Sequence, residues 1–234
     1  MHYVISDMSA RCVLMFIKAP EKGTVKSRLA KDLGDEAALE LYRCFVVDMI
    51  NTLRASLHPF RCCFYPPDAL EKIAAWLGRG YSYLPQRGND LGERMRNAFV
   101  DIFNEGVTEV VIIGSDSPDL PAEIIDEAFR SLRHHDVVIG PASDGGYYLI
   151  GFKQDAFLPE LFEAIPWSTA AVFEQTVDIL RKKRYKMYIL DVYTDVDCRD
   201  DLMALFRRNR NTPFASSGTM SYLFAHKEVT GGRI

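Results

Sequence analysis

Four short segments of this chain combine residue types that could handle phosphate groups. The first is KAPEKGTVKSRL (18–29), where Lys18, Lys22, Lys26 and Arg28 place four cations within eleven residues. Pro20 and Gly23 break any helix there, so the stretch reads as a loop open to close backbone approach. Cations beside exposed amides suit an anionic phosphate; the plain alternative is a solvated basic loop. The loop is not of the Walker A type, because GxxxxGK[ST] is absent.

The second segment is GSDSPDLP (114–121). Asp116 falls just past an apolar run, at the edge where α/β sheets bind ligands, and its carboxylate suits a hard cation such as Mg²⁺ or Mn²⁺. The alternative is a helix cap, but Asp119, directly before Leu120-Pro121, is better placed for that task. The third segment is GPASDGGYYLIGF (140–152). Its Asp144-Gly145-Gly146 run reads first as a hairpin turn, and secondly as amides beside a substrate with Tyr147 or Tyr148 as a wall. The fourth is DVYTDVDCRDDL (191–202), whose five acids repel one another unless a cation lies close. Asp200 and Asp201 suit a helix start, whereas Asp195 or Asp197 could complete a metal site begun by Asp116. Weaker signals come from Gln86, which could read a base edge, from Arg94 and Arg96, and from Ser168 or Thr169 as helix caps. His58, His134 and His135 are not paired with a Ser or Cys nucleophile motif, which argues against a triad hydrolase.

These segments need a scaffold, and the hydrophobic pattern predicts one. Strands are expected at 13–19, 60–65, 81–85, 108–115, 136–142, 147–152 and 186–193. Helices are expected at 35–56, 68–77, 89–106, about 121–133, about 170–183 and about 198–208. Such alternation predicts a three-layer α/β/α sandwich with a mostly parallel twisted sheet, and ligands beyond the carboxyl ends of its strands. One nucleotide-binding domain over 1–208 is expected, followed by a tail over 209–234 that is partly disordered or contact-forming.

Composition narrows the classes further. The 234 residues are 48% hydrophobic and 26% charged, as in an ordinary globular protein. A net charge of −4 supplies no global basic field for nucleic acid, so any phosphate site must be local. No apolar run is long enough for a membrane helix, and the first residues lack the pattern of a signal peptide. Five cysteines without a CxxC pair read as free thiols in a reducing cytoplasm, and adjacent Cys62 and Cys63 are expected on opposite faces of a strand.

The order KAPxxGxVKxRL, LGERM, GSDSPDLP, PASDGGYYLIGF, IPWST and DVDxxxDL, over residues 12–205, resembles the bacterial radical-SAM/selenodomain-associated transferases. That family is similar in fold to the GT-A-like nucleotide-diphospho-sugar transferase superfamily, with molybdenum-cofactor and phospholactate guanylyltransferases among its relatives. The resemblance implies phosphate binding by Lys18, Lys26 and Arg28. It implies metal binding by Asp116 and by Asp197, where Cys198 replaces a usual Thr.

Residues and resemblance together predict a metal-dependent transferase. Lys26, Arg28 and Asp116 are the catalytic candidates. Lys18, Pro20, Gly23, Lys26, Arg28, Gln86 and Ser115 are the nucleotide-binding candidates. Asp144, Gly145, Gly146 and Tyr147 are expected at the acceptor, and Asp116 with Asp197 at Mg²⁺ or Mn²⁺. The expected partners are a nucleotide or nucleotide-sugar and a small-molecule acceptor, with no nucleic acid and no membrane. Nucleotidyl transfer from an NTP to a small anionic acceptor is the first expectation. Glycosyl transfer from a nucleotide-sugar and a non-catalytic nucleotide-binding module are the alternatives.

Overall fold

A computed structural model describes residues 10–163, 165–167, 169–227 and 229. Seven strands form one sheet: β1 (Arg11–Lys18), β2 (Phe60–Tyr65), β3 (Tyr83–Pro85), β4 (Glu109–Ile113), β5 (Val137–Pro141), β6 (Tyr147–Lys153) and β7 (Met187–Ile189). Their order is β3-β2-β1-β4-β6-β5-β7. All pairings are parallel except those of β6, which runs antiparallel to both β4 and β5. The helices are α1 (Ser27–Leu33), α2 (Asp35–Ser56), α3 (Leu70–Leu77), α4 (Leu91–Asn104), α5 (Ala122–Leu132), α6 (Val172–Lys182), α7 (Arg199–Asn209) and α8 (Gly218–Ala225).

Strand alternation divides the core between the two sheet faces. Val13, Met15, Ile17, Val111 and Ile113 pack with residues of α2 and α5 on one face. Cys12, Leu14, Val110 and Ile112 pack with residues of α4 and α6 on the other. Cys62 and Cys63 fall in opposite layers, both fully buried. Burial pushes the Cys62 thiol up to about 12, which makes it an inert core group.

Several boundaries differ from the sequence expectation. The strand expected over 186–193 is only β7, because its partner β5 matches it for three residues and the chain then bends toward the cleft. Helix α1 occupies part of the stretch read as a loop; Lys26 starts it in a left-handed conformation. Asp119 caps no helix: Pro121 stands at the α5 N-cap with no side-chain cap. Thr169 is not the N-cap of α6, which is Ala171, although its hydroxyl accepts the Ala171 N–H at 3.4 Å. Ser168 lies outside the described residues.

A third cluster joins α1, α2, α7 and α8 through Leu29, Phe45, Leu202, Phe206 and Met220. The buried Asp48 carboxylate of α2 accepts the backbone N–H groups of Gly218 (2.9 Å) and Thr219 (2.8 Å) at the start of α8. No helix among the described residues is long and apolar enough to cross a membrane.

Candidate active site

The carboxyl ends of β1 and β4, the turn between β5 and β6, and the segment after β7 enclose a cleft of about 670 Å³. Lys26 stands at its centre. Its Nζ lies 2.6 Å from Asp116 Oδ1 and 3.1 Å from Asp197 Oδ1, and donates to the Val196 carbonyl at 2.7 Å. The Lys26 side chain is only 4% exposed, so all three ammonium donors are committed. Burial opposes its charge, but the Asp116 and Asp197 carboxylates more than offset that and raise its pKa. Its backbone sits at φ 48°, unusual for a residue with a side chain. Such strain persists where surrounding contacts over-determine it, as the three partners of the ammonium do here.

The two acids come from distant parts of the chain and are stitched together. Val196 N–H donates to the Asp116 carbonyl at 2.8 Å, and Ser117 Oγ donates to Asp195 Oδ1 at 2.6 Å. Desolvation, then the charge of Asp116, push Asp195 up to about 7, with the Ser117 bond opposing them. Arg28 is 72% exposed and its guanidinium lies 3.8 Å from Asp197 Oδ2. Asp116 and Asp197 keep 44% and 37% exposure. Two partly open carboxylates that reach one ammonium also suit Mg²⁺ or Mn²⁺, which takes one or two carboxylates and completes its shell with phosphate and water oxygens.

The structure brings most expected residues to the cleft. Lys18, Gln86, Ser115, Asp144, Gly146 and Tyr147 line it with Lys26, Arg28, Asp116 and Asp197. Pro20, Gly23 and Gly145 do not line it. Gly23 shapes the loop at φ 76°. Gly145, at φ 92°, closes the β5–β6 turn so near α6 that a Cβ would lie 2.1 Å from the Ala170 carbonyl. The hairpin reading of Asp144–Gly146 is therefore also realised, with Asp144 Oδ1 accepting the Gly146 N–H at 2.9 Å.

Gln86 is buried, and its Nε2 donates to the carbonyls of Ile17 (3.1 Å) and Cys63 (2.7 Å). Both partners are acceptors, so the amide orientation is settled. Arg94 also lines the cleft, its guanidinium 3.7 Å from the Tyr65 ring centroid, whereas Arg96 pairs with Glu163 instead. Sequence reasoning missed Tyr42 of α2, whose hydroxyl accepts the Lys18 N–H at 2.7 Å and donates to the Lys18 carbonyl at 3.1 Å. A tyrosine on an amphipathic helix carries no local sign of that contact.

Comparisons with known proteins bear on the fold and the family. A crystal structure from Desulfovibrio desulfuricans G20, provisionally named a nucleotide-diphospho-sugar transferase, is 43% identical, with a TM-score of 0.92 over 96% of this chain and 98% of that one. The fold is therefore GT-A-like. The 2-phospho-L-lactate guanylyltransferase of Methanocaldococcus vulcanius is 25% identical over 86% of this chain and 87% of its own length. The 3-phospho-D-glycerate guanylyltransferase of Phenylobacterium zucineum is 31% identical over 55% of this chain and 61% of its own length. Residues 49–169 match the family model described as "Uncharacterized protein conserved in bacteria (DUF2064)", and the chain belongs to that family.

Proposed function

We propose that the cleft transfers a nucleoside monophosphate from an NTP to the phosphate of a small acceptor, releasing pyrophosphate. One observation carries the reading: the Lys26 ammonium gathers Asp116 and Asp197 at a single point beside the basic loop. In the reaction an acceptor phosphate oxygen bonds to the α-phosphorus, and the bond from that phosphorus to the α–β bridging oxygen breaks. No protein nucleophile is needed; positioning and charge stabilisation suffice.

Asp116 and Asp197 would hold Mg²⁺ or Mn²⁺, which supplies charge neutralisation on phosphate oxygens. Lys26 holds the two carboxylates in place, and its donors are already committed to them and to Val196. Arg28, exposed at the rim and only 3.8 Å from Asp197, and Lys18 are placed to meet the triphosphate. Gln86 has spent both amide hydrogens, so its carbonyl oxygen is what remains for a base edge that donates. Guanine presents such an edge, and the two relatives named above are guanylyltransferases. The likeness to radical-SAM-associated and molybdenum-cofactor transferases rests on motif order alone. A cytoplasmic setting fits the five free cysteines.

Pyrophosphate release from GTP, ATP, CTP and UTP with Mg²⁺ and a panel of phosphate monoesters tests the reading. GTP-dependent release is expected, and its absence with every NTP would sink nucleotidyl transfer. The name of the 43% identical protein favours a second reading, glycosyl transfer, which would yield a free nucleoside diphosphate instead.

A further inference from the structure

Charge is segregated across the cleft, and the segregation follows the sheet. The cations that line it, Lys18, Lys26, Arg28 and Arg94, come from β1, the loop and helix after it, and α4. The acids that line it, Asp116, Asp144, Asp195 and Asp197, come from the ends of β4, β5 and β7. Among the described lining residues, the half over β6, β5 and β7 contributes no positive side chain. That half is walled by Tyr147 and Trp167, whose rings meet edge to face at 6.3 Å.

Lys26 does not relieve the imbalance, because it is spent on Asp116, Asp197 and the Val196 carbonyl. Asp144 uses one oxygen for the Gly146 N–H and, among the described residues, has no cationic partner within salt-bridge reach. Ionised carboxylates only accept hydrogen bonds. A second carboxylate brought beside Asp144 would meet repulsion, and no cationic side chain among the described lining residues of that half would offset it.

We propose that the acceptor is a phosphate monoester with no second anionic group, whose body is rich in hydrogen-bond donors such as hydroxyl or ammonium groups. Asp144 then acts as the specificity-determining residue that turns away phosphorylated carboxylic acids. The proposal rests on the nucleotidyl reading and names the substrate class of that site. Acceptor phosphate lies toward Arg94, on the cationic side of the cleft; the donor-bearing body lies toward Asp144 and the Tyr147–Trp167 wall.

Glycerol 3-phosphate and 3-phosphoglycerate form a matched pair of probes, differing by a hydroxymethyl group in place of a carboxylate. Both are titrated calorimetrically into the full chain saturated with α,β-methylene-GTP and Mg²⁺. Glycerol 3-phosphate should bind at least about tenfold tighter, and Asp144→Asn should narrow the ratio at least about threefold, since it keeps the turn-forming oxygen and removes the charge. In the unaltered protein, raising NaCl from about 0.05 to about 0.5 M should also narrow the ratio by screening. Failure to bind by α,β-methylene-GTP and by its ATP, CTP and UTP counterparts alike would sink the nucleotidyl reading and this proposal together. Analogue binding with equal or reversed acceptor preference, with neither acceptor bound, or with a ratio unmoved by both Asp144→Asn and salt, would overturn this proposal alone.

Discussion

Two ion-paired clusters grow from the same loop, three residues apart, and they are built in opposite ways. Asp119 is closed: its carboxylate, 3% exposed, accepts from Arg208 Nε (2.7 Å), Arg208 Nη2 (2.9 Å) and Asn209 Nδ2 (2.6 Å). Its backbone carbonyl accepts the Tyr193 hydroxyl at 2.7 Å. Asp116 is open: one oxygen holds Lys26, and the side chain stays 44% exposed to the cleft. The closed cluster ties α7 to the loop and leaves little capacity unused. The open cluster keeps two carboxylates half-free over a strained lysine, so it retains capacity for a ligand. Fully satisfied polar networks rigidify the parts they join.

The largest effect should come from breaking the open cluster. Asp116→Asn is expected to lower turnover at least about a hundredfold, in line with the ~2.7–4 kcal/mol cost of losing one transition-state contact. The fold should survive with a melting temperature within a few degrees of the parent. Steady-state pyrophosphate release and circular dichroism check both halves, and near-normal turnover would remove Asp116 from the chemistry. Breaking the closed cluster should do the reverse. Asp119→Ala leaves Arg208 and Asn209 without their partner and should destabilise by about 2–4 kcal/mol. In urea titrations the midpoint falls, while turnover per folded molecule changes little.

A smaller effect concerns Asp195. It ionises near 3.8 when unfolded, but in the metal-free fold burial holds its proton until about 7. The folded state therefore binds more protons between those values, and stability falls as pH rises through that window. Asp195→Asn removes the penalty, so the variant should be about 1–3 kcal/mol more stable than the parent at pH 8 and nearly equal at pH 4. Melting curves across that range decide the matter; a difference independent of pH would refute it. The smallest effect should come from the exposed pair Arg79–Glu71, with both side chains more than 75% exposed. Arg79→Ala should shift stability by less than about 0.5 kcal/mol, measured in the same urea titrations. A larger loss would show that closure is not what separates the valuable ion pairs from the cheap ones.

Much of the scaffold was legible because it follows local rules. The bounds of α2 (Asp35–Ser56) and β2 (Phe60–Tyr65) match their hydrophobic periods, and Asp90 caps α4 through the Glu93 N–H as its type and place suggest. The candidate site was legible as segments, since cations after β1 and acids after β4 and β7 stand out by type and by position at strand ends. Their pairing was not. Asp119 reads locally as a helix cap, yet a guanidinium 89 residues away claims it. Lys26 reads as a phosphate ligand, yet its donors go to groups up to 171 residues distant.

Sequence alone determined the order of strands and helices and the edge of the sheet where charged residues gather, because side-chain period and turn chemistry act over a few neighbours. Only the tertiary structure decided which cation faces which acid, which glycines shape loops rather than line the cleft, and that positive and negative charge divide between its two halves. Those outcomes depend on strand order and on burial, which set distance and dielectric between groups that no local pattern connects.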